Sequence, residues 1–173
     1  MSKSMYRFWD CCLLIVVSAA FLIQLVLKFQ SRDIMFGVVS ALIPLVITFV
    51  IAVLDFHNPN ITRFVSALPC FMMIYSGFIN ARDSFVLLTL GFQLALPIIT
   101  AIILLLLYNR PSSSLRIAAL VLLSILLLWS LAALLVFFFA QKQRSIMTET
   151  YIWSICLSIA FLFALIKVVY DFK

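Results

Sequence analysis

Reactive side chains are scarce in this chain, and they stand at the margins of long apolar runs. Its 173 residues hold six carboxyl groups, one histidine and four cysteines. The acids are Asp10, Asp33, Asp55, Asp83, Glu149 and Asp171, each at the end of an apolar run. Proton-coupled chemistry inside a membrane needs Asp, Glu or His at depth, and on this reading none is there. His57 is alone in the turn-forming stretch DFHNPNITR, with no second His or Cys to complete a metal site. Cys11, Cys12, Cys70 and Cys156 lie in or beside apolar runs, and no loop carries a C-x-x-C pair. Neither zinc nor a disulfide framework is expected, and the thiols read as small packing residues. The Cys11–Cys12 pair at a membrane edge would also suit acylation. No G-x-S-x-G, H-E-x-x-H or P-loop pattern occurs.

Intramembrane catalysis would need a nucleophile and a base at depth. The runs offer hydroxyls, and Lys167 is the one ionisable base within them. It lies near the end of the last run, where a long stem is expected to carry the ammonium out to the interface. No catalytic, cofactor-binding or metal-ligating residue is assigned, and no enzymatic activity is expected. Carboxylates at the membrane surface, Asp55 and Asp83, are the acids that an enzyme acting on a lipid or quinone would use.

The elements that position these groups are the apolar runs themselves. Two-thirds of the chain (66%) is hydrophobic and the mean hydropathy is +1.27. Runs of 17 to 25 residues cover 11–27, 34–54, 64–81, 84–108, 117–140 and 151–171, and a bilayer core takes about 20 residues per helical span. In lipid each backbone polar group must find a partner within its own segment, so the spans are expected to be helices. The fold expected is all-α: one transmembrane domain over 1–173, a polytopic bundle of six helices. The third run is short, holds Pro69, Gly77 and Asn80, and has a re-entrant segment as its alternative, which would leave five spans. Lys3 and Arg7 before an apolar run, with Ser18-Ala19-Ala20 inside it, resemble a signal peptide, but the run continues to Leu27, and a retained first span is expected.

Six spans place both termini on one side. That side carries Lys3, Arg7, Arg63, Arg110, Arg116, Lys167 and Lys173, and the other Lys28, Arg32, Arg82, Lys142 and Arg144. The positive-inside rule then puts both termini in the cytoplasm. The net charge of +6 is spread singly over span ends, so it marks membrane flanks and no nucleic-acid partner is expected. Tyr6, Phe8 and Trp9 suit the headgroup layer. Asn60-Ile61-Thr62 is a glycosylation sequon by pattern and reads as chance in so short a loop. Arg110 and Arg116, with three serines between them, form a loop too weakly basic for a dedicated lipid site.

The three glycines each have an alanine four residues on: Gly37/Ala41, Gly77/Ala81 and Gly91/Ala95. Such pairs share a helix face and let another backbone approach. They are the candidate helix-packing residues, within the bundle or against a second chain. Spans 2 and 4 also share an order of residues, Gly37…Ala41…Pro44…Thr48 and Gly91…Ala95…Pro97…Thr100, each after an Arg-Asp pair. A duplicated hairpin and a chance likeness both fit. Proline-interrupted helices at matching positions point to a transport site, so Pro44, Thr48, Gln93, Pro97 and Thr100 form the candidate polar intramembrane site. Gln24 and Gln93 should face protein or water, because an unpaired amide in hydrocarbon is costly. Span 5 is the most uniformly aliphatic and is expected to face lipid or a partner.

The lack of charge at depth and the abundant small-residue grooves favour a non-enzymatic membrane protein. It would act through helix contacts with a membrane-protein partner or with its own copies, as an accessory or assembly subunit or an immunity-type protein. A small-solute transporter or channel using the proline-interrupted spans is the alternative. Membrane lipids are the other expected partners, and no cofactor is expected.

Overall fold

The computed structural model describes residues 3–29, 34–57, 62–81, 91–139 and 146–172. Among the described residues the chain is an all-helical bundle of six helices, as expected. They are α1 (Lys3–Phe29), α2 (Ile34–His57), α3 (Thr62–Ala81), α4 (Leu96–Asn109), α5 (Ser113–Phe139) and α6 (Ile146–Asp171), with a π turn over Gly91–Ala95 leading into α4. Among the described residues four stretches are long and apolar enough to cross a membrane: Phe8–Val26, Gly91–Asn109, Ser113–Val136 and Tyr151–Asp171. Within α2 and α3 the corresponding stretches, Leu42–Leu54 and Phe64–Gly77, are shorter. α3 is a single helix through Pro69, and its 20 residues reach about 30 Å.

The helices pack as two rows of three. One row runs α2–α3–α4 and the other α1–α6–α5. Across the rows α1 packs on α2 and α3, α3 on α6, and α4 on α5. Each helix lies beside its successor, and α6 closes the circuit against α1. α3 and α6 occupy the middle of their rows. This is why α3 is buried continuously from Val65 to Cys70, whereas Leu42–Leu54 of α2 and the described side chains of α5 are mostly exposed or half-buried.

The surface is apolar. Ile15, Phe49, Leu128 and Val136 are each about two-thirds exposed (67%, 68%, 65% and 65%) and have many neighbours like them. Water would not tolerate so continuous an apolar surface on a soluble monomer, and hydrocarbon would. The interior is filled by Leu13, Val17, Met72, Leu104, Leu107, Leu123, Leu126 and Phe161, all fully buried. On α5 the buried positions Ala119, Leu123, Leu126 and Ser130 form one stripe, with Ile117, Val121, Leu128 and Leu135 outside it.

Hydroxyls inside the spans settle on their own backbones. Thr48 donates to the Pro44 carbonyl, Thr100 to the Leu96 carbonyl and Ser124 to the Leu120 carbonyl, each at 2.8 Å. Between α5 and α6, Ser158 donates to the Ser154 carbonyl at 2.8 Å and its Oγ lies 3.0 Å from that of Ser130. Interhelical bonds of this kind are worth about 0.6 kcal/mol in a membrane. Ser158→Ala is therefore expected to lower stability by about that amount, read as a small shift in an unfolding titration in mixed micelles.

Candidate functional site

The polar centre of the bundle stands at the end where the chain's termini lie. α1 starts there, α3 starts there, and α4 and α6 end there. Each contributes one level of side chains to the same layer. On α1 the buried face repeats through Asp10, Leu13, Val17, Phe21 and Gln24, at helical spacing. On α6 it repeats through Trp153, Leu157, Ala160, Ala164 and Lys167. The two helices run antiparallel, so Asp10 near the start of α1 meets Lys167 near the end of α6.

That meeting is ionic. The Lys167 ammonium is paired with Asp10 Oδ1 and lies 3.3 Å from Asp171 Oδ2. The Lys167 side chain is 0% exposed, with Asp10 at 2% and Asp171 at 5%. Tyr108 of α4 donates its hydroxyl hydrogen to Asp171 Oδ2 and accepts one from Ser66 of α3, whose Oγ is 3.0 Å away. The Lys167 nitrogen also lies 5.9 Å from the centre of the Tyr108 ring. Four helices are thereby joined through one chain of polar contacts: Ser66, Tyr108, Asp171, Lys167, Asp10. Aromatic rings close over it. Trp9 stacks on Tyr170 at 6.1 Å and touches Phe163 at 5.8 Å, and Phe172 meets the Tyr108 ring edge-on at 5.0 Å.

This arrangement corrects two expectations. Lys167 does not reach out to the interface; Asp10, 157 positions earlier in the chain, gives it a partner inside. Asp10 and Asp171 are not interfacial acids but members of a buried cluster. Trp9, half-buried, packs its ring on α6 at the same end. The common cause is the antiparallel pairing of α1 with α6. It puts opposite charges at one level, where desolvation is offset by direct pairing.

The packing glycines separate by role. Gly77 is buried, and a Cβ placed on it would come within 2.9 Å of the Gln93 carbonyl oxygen and of Leu94 Cδ2. Gln93 stands four residues before Pro97, which has no N–H to give that carbonyl the ordinary helical bond. The π turn over Gly91–Ala95 moves the helical register past the proline. The rearranged backbone then seats against the bare Cα of Gly77, a close approach that only glycine allows. Gly91 has nothing within 4 Å of an added Cβ, and Gly91 and Ala95 both face outward. Gly37, Ala41 and Ala81 fall outside the residues whose side-chain surroundings are described.

The predicted polar site is not gathered in one place. Pro44 and Thr48 belong to α2, which packs on α1 and α3. Gln93, Pro97 and Thr100 belong to the π turn and α4, which pack on α3 and α5. Thr48 and Thr100 are buried and bonded to their own helices. Gln93 is half-buried. Asp33, Asp55, His57, Asp83, Glu149 and the sequon at Asn60 lie outside the described side chains. Among the described residues no group of three His, Cys, Asp or Glu stands close enough to hold a metal ion. The cysteines there are all free: Cys70 is buried and Cys11 exposed.

Sequence reasoning misses the cluster because it weighs each member within its own span. The signal lies in topology: with an even number of antiparallel spans, the start of the first and the end of the last share a level. No protein-family model matches the chain, and no curated protein or solved structure matches it significantly. The fold and the site together define a membrane-type helical bundle locked by an internal ion cluster.

Proposed function

We propose that this chain is a multi-pass membrane protein of six crossings, with both termini in the cytoplasm, that works without catalysis by contacting another membrane protein. The observation that carries this reading is a filled interior. Leu13, Val17, Leu104, Leu107 and Phe161 close the bundle beside the ion cluster, and the cluster's charges face one another. A closed bundle suits recognition by its outer surface, where Gly91 and Ala95 lie exposed in a π turn. The partner class is a membrane helix, as for an assembly subunit, an immunity-type protein or a second copy of the chain.

The test is purification in mild detergent. A stoichiometric membrane-protein partner, or a homo-oligomer, is the expected result, and Ala95→Leu should abolish it without loss of the folded bundle. A chain that runs as a monomer in several mild detergents contradicts the reading.

A second reading is supported by the ion cluster itself. Charged residues inside membranes commonly mark ion or substrate pathways, and a transporter would use Asp10, Lys167 and Asp171 in that role. It predicts solute or proton flux in liposomes containing only this protein, abolished by Lys167→Met. The absence of flux across a broad panel of solutes sinks it.

A further inference from the structure

At the end of the α1–α6 seam away from the ion cluster, two buried polar atoms stand without partners. Gln24 is 8% exposed and its Oε1 accepts no hydrogen bond. Trp153 is 5% exposed and its Nε1–H donates none. Their registers coincide. Gln24 is fourteen residues beyond Asp10, and Trp153 fourteen residues before Lys167. Asp10 and Lys167 are paired across antiparallel helices, so equal steps from that pair bring Gln24 and Trp153 to one level, about 21 Å along the seam. Fourteen residues are also close to four helical turns, which keeps both on the facing sides. Ring contacts place Trp153 within one helical turn of that level. Phe21, one turn before Gln24, meets Trp153 edge-on at 5.4 Å, and Tyr75 of α3 lies 5.4 Å from Phe21 and 5.9 Å from Trp153.

An orphan acceptor and an orphan donor facing one seam in apolar surroundings each carry the cost of desolvation without a bond. One hydroxyl group removes both costs, since it donates to an amide oxygen and accepts from an indole N–H at once. We propose that Gln24 and Trp153 form a binding site for a single hydroxyl group, roofed by Phe21 and Tyr75. A water molecule or the hydroxyl of a lipid supplies the same chemistry. The site is separated from the ion cluster by Leu13, Val17, Leu157, Phe161 and Ala164, all buried, so it does not depend on what the cluster does.

The test is nuclear magnetic resonance of the full chain, labelled with nitrogen-15 at tryptophan, in lipid nanodiscs. Trp153→Phe identifies the Trp153 indole signal. The proposal predicts a hydrogen-bonded indole N–H in the unaltered protein. It predicts a cross-peak either to slowly exchanging water or, with protonated lipid in place of deuterated lipid, to a lipid hydroxyl. Gln24→Leu should shift that signal and weaken the cross-peak several-fold. An indole without a hydrogen bond overturns the proposal. So does a bonded indole with no cross-peak to water or lipid, since that signifies an acceptor within the protein. Both readouts come from the unaltered protein, so they decide the matter whether or not the Gln24 variant folds.

Discussion

Lys167→Met is expected to destabilise the bundle by about 3–5 kcal/mol, the range found when one partner of a buried ion pair is removed. The side chain is fully buried, and its loss leaves Asp10 and Asp171 facing each other with no ammonium between them. Met fills the same stem volume, so the loss is electrostatic. The effect is read as a shift of the unfolding midpoint in mixed micelles. It should also appear as early separation of α1 from α6, measured by the distance between labels on the two helices. A lysine standing in the interface would behave differently, since surface changes away from special features stay within about 0.5 kcal/mol. Lys167→Arg should not rescue fully, because a planar guanidinium does not fit a site built around a compact ammonium.

Gly77→Ala is expected to cost about 1–3 kcal/mol, the usual penalty for inserting a methyl group into a packed site. The new Cβ would meet the Gln93 carbonyl at 2.9 Å, and a backbone atom cannot step aside as a side-chain tip can. Relief would require α3 and the π turn to separate. Gly91→Ala is the matched control. It sits in the same π turn with open space around it, and should be neutral or stabilising by up to about 1 kcal/mol through reduced backbone freedom. Both variants are compared in one unfolding assay. Equal effects at the two positions would contradict the assignment of Gly77 to the inside and Gly91 to the outside.

Much of this architecture is legible in the sequence, and the site is not. Long apolar runs announce helices because hydrocarbon leaves the backbone no other partners. Thus 11–27, 117–140 and 151–171 fall within α1, α5 and α6 to within a few residues at the described ends. Pro44 and Pro69 sit inside continuous helices, where composition alone leaves a break equally open. Pro97 acts through the preceding turn, by forcing the π register that meets Gly77. Lys167 is hidden for a different reason. A lysine four residues from a span end fits both an interfacial and a paired role, and the choice depends on a residue at the opposite end of the chain. Tyr108 and Ser66 carry no sequence signal of their own; they matter because α3 and α4 bring them to the level of Asp171.

The pairing of the first helix with the last through Asp10 and Lys167 underlies the stability and the site alike. A double-mutant cycle in mixed micelles, comparing Asp10→Asn, Lys167→Met and the two combined, measures it directly. Contacting buried charges should give a coupling energy of at least about 1 kcal/mol, with the double variant more stable than the sum of the single losses predicts. Additivity within about 0.3–0.5 kcal/mol, as for residues that do not touch, would contradict the pairing.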